Sequence, residues 1–229
     1  MIGIFDSGAG GLCALRELAR LLPDEKKIYL TDRKNLPYGT KSEGELVLLV
    51  SENIRKLRFM GCEKILLACC TASTIHPLLP KEYKELSLPI IGAAARAVRG
   101  ERIAVIATER TVCTGAFRAA ISVFCDAEIF EIPAGELVSL VEEGERDGHL
   151  SQRGKAAVAR VARKVALTEP DSLILGCTHF SHLEESFGAL LPDVHIVSAA
   201  REGALEMVKN KGNKTEKDIK KWQITEEEE

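Results

Sequence analysis

The chain has 229 residues, 45% of them hydrophobic and 28% charged, with a formal net charge of -3. These are the proportions of an ordinary globular protein, with core enough for one large domain or two small ones. Such a balance argues against nucleic acid, which needs a clustered basic surface, and no apolar run approaches the roughly 20 residues that cross a bilayer.

Short aliphatic runs alternate with amphipathic stretches, which predicts an α/β fold with mainly parallel sheets and crossover helices. Ile2 to Phe5 reads as a strand, without the basic stretch of a secretory signal before it. A Gly-rich turn leads to a helix near Leu12 to Leu22, and Lys27 to Leu30 is the next strand. A helix from Glu43 to Met60 stops at Gly61, a common C-terminal signal. Lys64 to Ala68 forms a third strand, and Pro89-Ile90-Ile91 a fourth. The rhythm then recurs: strand Arg102 to Ala107, a helix from Thr111, strand Glu128 to Ile132, helix Ser151 to Leu167, strands Ser172 to Leu175 and Val194 to Val197. The two series are offset by roughly 100 to 110 residues. They predict two pseudo-symmetric lobes, residues 1–92 with 199–229 against 93–198, with a ligand cleft where the carboxyl ends of the strands face each other. The helical segment Ala199 to Lys209 would return to the first lobe. Lys209 to Lys214 and the Glu226 to Glu229 run read as polar tail.

Seven cysteines without framework spacing point to reduced thiols and a cytoplasmic protein. Two of them occupy matching turns: Cys69 follows the third strand of the first series, and Cys177 the third strand of the second. Each is followed by a threonine, Thr71 or Thr178, at a helix start. Free N–H groups there favour thiolate, lowering a pKa that is otherwise about 8.5, and would also cradle a carboxylate. Cys13, Cys62, Cys113 and Cys125 read as small apolar fillers. The turn Asp6-Ser7-Gly8-Ala9-Gly10-Gly11 lacks dinucleotide spacing and a Walker lysine. Its Asp6 either orients a reacting group or caps the following helix. His76, His149 and His182 read as helix or surface residues.

The segments Asp6 to Leu12, Pro37-Tyr38-Gly39, Ala68 to Ser73, Val141 to Gly144 and Gly176 to His179 resemble the glutamate racemases in order and spacing, over nearly the whole chain. The resemblance implies a cofactor-independent, metal-free exchange of the Cα proton of glutamate between two opposed thiols, Cys69 and Cys177. Asp6 would assist Cys69, and His179 with Glu142 would assist Cys177. Ser7, Cys70, Thr71 and Thr178 would hold the α-amino and α-carboxylate groups. Pro37, Tyr38, Gly39 and Thr111 would meet the side-chain carboxylate, with Thr108 standing behind them. The resemblance also implies D-glutamate supply for cell-wall precursors, a small-molecule substrate as partner, and a homodimer among the assemblies the family uses.

Three places depart from the family pattern: Cys70 where asparagine is usual, Thr31-Asp32 where glycine commonly precedes the aspartate, and Pro133-Ala134-Gly135 for a cysteine-proline pair. A racemase of aspartate or another acidic amino acid is the nearest alternative. A thiol hydrolase built on Cys177 and His179 is another, although residues two apart at a turn tend to point apart. A zinc site from Cys69, Cys70, Cys177 and His179, or a non-catalytic ligand-binding homologue, completes the set.

Overall fold

The computed structural model describes residues 1–147 and 150–212, so His149 and the tail beyond Gly212 lie outside the described residues. In chain order the first half runs β1 (Ile2–Asp6), α1 (Leu12–Leu21), β2 (Lys27–Thr31), α2 (Glu43–Phe59), β3 (Lys64–Leu67), α3 (Cys70–Thr74), α4 (Lys81–Leu86), β4 (Ser87–Pro89) and α5 (Ile90–Arg96). The second half runs β5 (Arg102–Ala107), α6 (Glu109–Cys113), α7 (Ala116–Ile121), β6 (Glu128–Pro133), α8 (Glu136–Asp147), α9 (Gln152–Ala166), β7 (Ser172–Leu175), α10 (Glu184–Leu190), β8 (His195–Ser198) and α11 (Ala199–Gly212). Two four-stranded sheets result, ordered β2-β1-β3-β4 and β6-β5-β7-β8, and every strand pair is parallel. The second sheet repeats the first strand for strand, which is the expected pseudo-symmetry.

Successive side chains of a strand point to opposite faces, and the cores divide accordingly. On β3, Ile65 and Leu67 join Leu46, Val50, Ile54 and Leu57 of α2 in one cluster. Leu66 and Ala68 enter a different one. On β7, Leu173 and Leu175 pack with Val158, Val161 and Val165 of α9, whereas Ile174 faces the same cluster as Leu66. That shared cluster takes in Ile103, Val105 and Phe117 of the second half and Ala200 and Ala204 of α11. The lobes are therefore joined by a common apolar core, and α11 lies against α1 and α5.

Two local expectations need correction. The fourth strand ends at Pro89 instead of continuing through Ile91; the Ile90 N–H donates to Ser73 Oγ at 3.2 Å and so leaves the ladder, and Ile90 opens α5. The helix expected from Thr111 is two short ones, broken at Gly115, whose φ of +61° lies in the left-handed region that favours glycine. The stop at Gly61 is as expected, with φ +86°, and α2 opens on a capping box in which Ser42 and Glu45 bond each other's backbone N–H.

The seating of α11 gives a test. A methyl group at Gly203 would overlap Ile90 Cγ2, a side chain fixed in the shared core. Gly203→Ala should cost about 1–3 kcal/mol by overpacking, whereas Gly188→Ala in α10, with nothing within 4 Å, should gain about 0.5–1 kcal/mol. Denaturant unfolding of both variants checks the opposite signs.

Candidate active site

The carboxyl ends of β1, β3, β5 and β7 meet between the lobes, and nearly all the expected site residues gather there. Cys69 follows β3 and caps α3, with the Ala72 N–H donating to its sulfur at 3.4 Å and Ser7 Oγ at 3.4 Å. Cys177 follows β7 and opens the short 3-10 segment Thr178–Leu183; its sulfur takes no cap hydrogen bond, and the Phe180 N–H donates to the Cys177 carbonyl at 2.9 Å. Both thiols are buried. Each sulfur thus sits at a helix start with a polar side chain beside it.

For Cys177 that side chain is His179, whose Nδ1 lies 3.7 Å from the sulfur while Nε2 lies 3.2 Å from Glu142 Oε1. The expectation that residues two apart would diverge is wrong here, because the 3-10 turn folds the imidazole back over its own N-cap. A thiol hydrolase would use these three groups and leave Cys69, Ser7 and Asp6 idle. Asp6 is fully buried and accepts two hydrogen bonds: from the Gly8 N–H to Oδ1 at 2.6 Å, and from Thr178 Oγ1 to Oδ2 at 3.0 Å. It does not cap α1, whose N-cap is Gly11 with no side-chain bond. The bond from Thr178 ties the first lobe to the second.

The glycines of the turn permit that approach. A Cβ on Gly10 would lie 2.6 Å from Thr178 Oγ1 and 2.7 Å from His179 Nδ1. The Tyr29 hydroxyl donates to the Gly8 carbonyl at 2.8 Å and steadies the turn from below. Across the cleft, the hydroxyls of Thr71, Thr108 and Thr111 form a triangle with sides of 3.2, 3.0 and 3.5 Å. Two of its corners belong to the second lobe, so it is a second polar tie between them.

Tyr38 is buried and Pro37 and Gly39 are exposed. Asp32, in sequence only a departure from the family pattern, fixes this turn in the structure. Asp32 accepts from the Tyr38 hydroxyl at 2.7 Å, from Asn35 Nδ2 at 2.8 Å and from Asn53 Nδ2 at 3.4 Å. The available signal was Asn53, a polar residue on the apolar face of α2. Cys70 belongs to the shared apolar cluster instead of the hydrogen-bonded set around Cys69. Cys113 is exposed and is no filler, while Cys62 is buried and Cys13 and Cys125 pack at the rim of the shared core. His182 is half-buried, with Nε2 3.2 Å from Cys13 Sγ across the lobes, and His76 sits in a short 3-10 turn near the Ser87 carbonyl. Among the described residues no three of His, Cys, Asp or Glu gather as metal ligands, so Cys69, Cys70, Cys177 and His179 do not form a ligand cluster.

Electrostatically the site is poor in solvent and rich in groups that carry negative charge. Burial, followed by the charge of Asp6, pushes the Cys69 thiol up to about 11. Burial drives Cys177 higher still, with the Cys69 and Asp6 charges adding to it. The lowered thiol pKa expected from the helix starts does not materialise, because the loss of water outweighs the N–H donors. Asp6 is itself raised, chiefly by burial, with His179 and its two hydrogen-bond donors opposing.

The sequence matches the pattern of the Asp/Glu/hydantoin racemases over residues 13–206. A glutamate racemase of Gloeobacter violaceus is 37% identical over 84% of this chain and 73% of its own length. A glutamate racemase isoform of Bacillus anthracis superimposes with a TM-score of 0.82 at 28% identity, covering 91% of this chain and 80% of that one. One from Francisella tularensis, solved with D-glutamate, gives 0.79 at 28% identity over 91% and 79%. Two lobes of parallel sheet with a thiol at the end of the third strand of each define an amino-acid racemase of the Asp/Glu/hydantoin class. Within that class, the chain belongs to the glutamate racemase family.

Asp6→Asn tests the electrostatics. A carboxyl whose folded pKa lies above its unfolded value stabilises the fold below the unfolded pKa, and that contribution is lost as pH rises through the folded one. The neutral isostere should therefore raise Tm relative to wild type, with a gap that widens from pH 4 to pH 7. The midpoint of Cys69 alkylation against pH should fall, since the Asp6 charge no longer opposes the thiolate. Equal melting at both pH values together with an unmoved midpoint would contradict this account.

Proposed function

We propose that the chain interconverts L- and D-glutamate by moving the Cα proton between Cys69 and Cys177, without a cofactor, and that it supplies D-glutamate for peptidoglycan precursors in the cytoplasm. The observation that carries the reading is the matched pair of buried thiols, one per lobe, each just past the end of its third strand and at the start of a helical turn. Racemisation takes a proton from one side of a carbon and returns one to the other. Two groups on opposite sides need only exchange protonation states, thiolate on one and thiol on the other, with the roles set by the hand of the substrate.

In this reading His179, with Nε2 toward Glu142 and Nδ1 toward the sulfur, takes the proton of Cys177 and holds it for return. Asp6 does the same for Cys69, with its raised pKa suiting a carboxyl that shares a proton with a thiol. The substrate ammonium would offset the negative charge that a thiolate adds to this closed site, and Ser7, Thr71 and Thr178 would hold the α-groups. The buried Tyr38, with Pro37, Gly39 and Thr111, would meet the side-chain carboxylate. Most of the lowering of the barrier would come from fixed donors around the charge developing on the α-carboxylate. The division into residues 1–92 with 199–229 and 93–198 accompanies this reading; the packing of α11 on α1 and α5 supports it. Among the described residues no helix is long and apolar enough to cross a membrane.

Incubation with each enantiomer of glutamate in deuterated water tests the mechanism. Wild type should invert and label Cα from either substrate. Cys69→Ser and Cys177→Ser should each lose inversion by at least about 10²-fold, and each should retain slow exchange from only one enantiomer, opposite for the two variants. Full inversion by either variant would remove the two-thiol mechanism, and faster turnover of aspartate would transfer the substrate assignment. Because both thiols are raised, kcat/KM should climb between pH 7 and pH 9, following the growing thiolate fraction of the free enzyme.

A further inference from the structure

The 3-10 segment Thr178–Leu183 carries the imidazole beside Cys177, and it meets the first lobe near both of its ends. At its start the Thr178 hydroxyl donates to Asp6 Oδ2 at 3.0 Å. Near its end His182 Nε2 lies 3.2 Å from the sulfur of Cys13, in the first turn of α1. Residues three apart eclipse one another in a 3-10 turn, so His179 and His182 share one face of the segment. The residues opposite them in the first lobe are also three apart. Gly10 packs on His179, where a Cβ would come within 2.7 Å of Nδ1, and Cys13 meets His182. The Cys13 N–H donates to the Gly10 carbonyl at 3.4 Å, which keeps that spacing. Two rungs therefore join the lobes along this face, one a close packing contact and the other a thiol–imidazole pair.

We propose that Cys13 and His182 are positioning residues for the reaction: their contact fixes the roll of the 3-10 segment and so holds His179 Nδ1 toward the Cys177 sulfur. The proposal rests on the reading of Cys177 as an acid/base. Neither Cys13 nor His182 is among the residues assigned to substrate. The argument is how the segment is held. Thr178 and Ser181, again three apart, share a second face, which Asp6 holds at one end and Ser198 Oγ at the other, 2.8 Å from Ser181 Oγ. The histidine face lies about 120° round from it, and its orientation is set by what grips the two imidazoles. His179 spans Cys177 at 3.7 Å and Glu142 at 3.2 Å, but the Glu142 side chain is 41% exposed and makes a yielding anchor. Cys13 stands on α1, which packs against α11, and makes a firm one. With the thiol gone, the imidazole of His179 would be oriented from the exposed side, and a misplacement of about 1 Å at a proton-transferring group can cost about 10²-fold.

Kinetics of the full chain with glutamate test the pair. Cys13→Ala and His182→Leu should each lower kcat about tenfold and leave KM within about twofold. The double variant should be no slower than either single one, because the two side chains act as a unit. His182→Gln, whose amide reaches the place of Nε2, should recover most of kcat. Exchange in deuterated water locates the effect. Placed on Cys69→Ser, whose remaining exchange runs through Cys177, Cys13→Ala should cut the rate about tenfold; placed on Cys177→Ser it should leave the rate unchanged. The imidazole nitrogen resonances of His179 in the substrate-free protein should shift in Cys13→Ala and His182→Leu and stay in place in His182→Gln. That measurement needs no turnover, so it judges the pair even if wild type fails to exchange with glutamate, an outcome that would remove the racemase reading instead. Equal losses on the two single-thiol backgrounds, a lower Tm with kcat intact, or His179 resonances that no variant moves would each overturn the proposal.

Discussion

The withdrawal of water from the facing strand ends governs the chemistry of this molecule. Asp6, Cys69 and Cys177 are all buried, the charge of Asp6 raises both thiols, and that of Cys69 raises Cys177. In such a medium the charged form of an acid is the costly one, and the site resists a second anion once it holds the first. Donors offset part of the cost: Gly8 and Thr178 for Asp6, Ala72 and Ser7 for Cys69. They do not offset all of it. A pair of thiols in that condition keeps both protons near neutral pH and gives one up only when something brings positive charge to the site.

That arrangement needs two lobes whose relative position is fixed, and besides the Cys13–His182 contact three ties help to fix it. The first is apolar: a cluster drawing on β1, β3, β5, β7 and α11 together, so the lobes cannot part without exposing it. The second is the bond from Thr178 to Asp6, made by the very carboxylate that crowds Cys69. The third is the threonine triangle at Thr71, Thr108 and Thr111. Polar ties at the rim and an apolar tie at the base leave the strand ends facing each other while excluding water from between them.

Much of this was legible in the sequence because the information is local. Strand, turn and helix signals recur in the same order in both halves, and the two cysteines stand at matching turns, so fold class and the paired thiols follow from period and position. What was not legible depends on distances across the fold. Nothing local tells whether two or three N–H groups outweigh complete burial, and the thiol pKa values went the other way from the sequence argument for that reason. Asp32 looked like a departure from a pattern; its part in holding Tyr38 appears only when Asn35 and Asn53, from separate elements, converge on it. His179 looked too near Cys177 in sequence to face it, because the expectation assumed an extended turn where a 3-10 turn exists. Ile90 looked like a strand residue on composition, and a single side-chain acceptor on Ser73 decided otherwise.

The glycines of the first turn let the two lobes approach. Read locally, three glycines after a strand suggest a backbone cradling a phosphate. In the fold, a side chain at Gly10 would collide with Thr178 and His179, and one at Gly11 would meet Asp6 Cβ at 2.7 Å. Gly10 is bare because the opposite lobe occupies the space a side chain would fill, and Gly11 because Asp6 of its own lobe does. Bringing His179 and Thr178 that close places Asp6 under the Thr178 hydroxyl, and a Cβ on Gly8 would lie 3.6 Å from Glu142 Oε1. An alanine at position 10 would have to push the second lobe's 3-10 segment away, and with it the imidazole beside Cys177. The glycines thus act as a joint between lobes, and the proximity of the two halves of the site is written in residues that contribute no functional group at all.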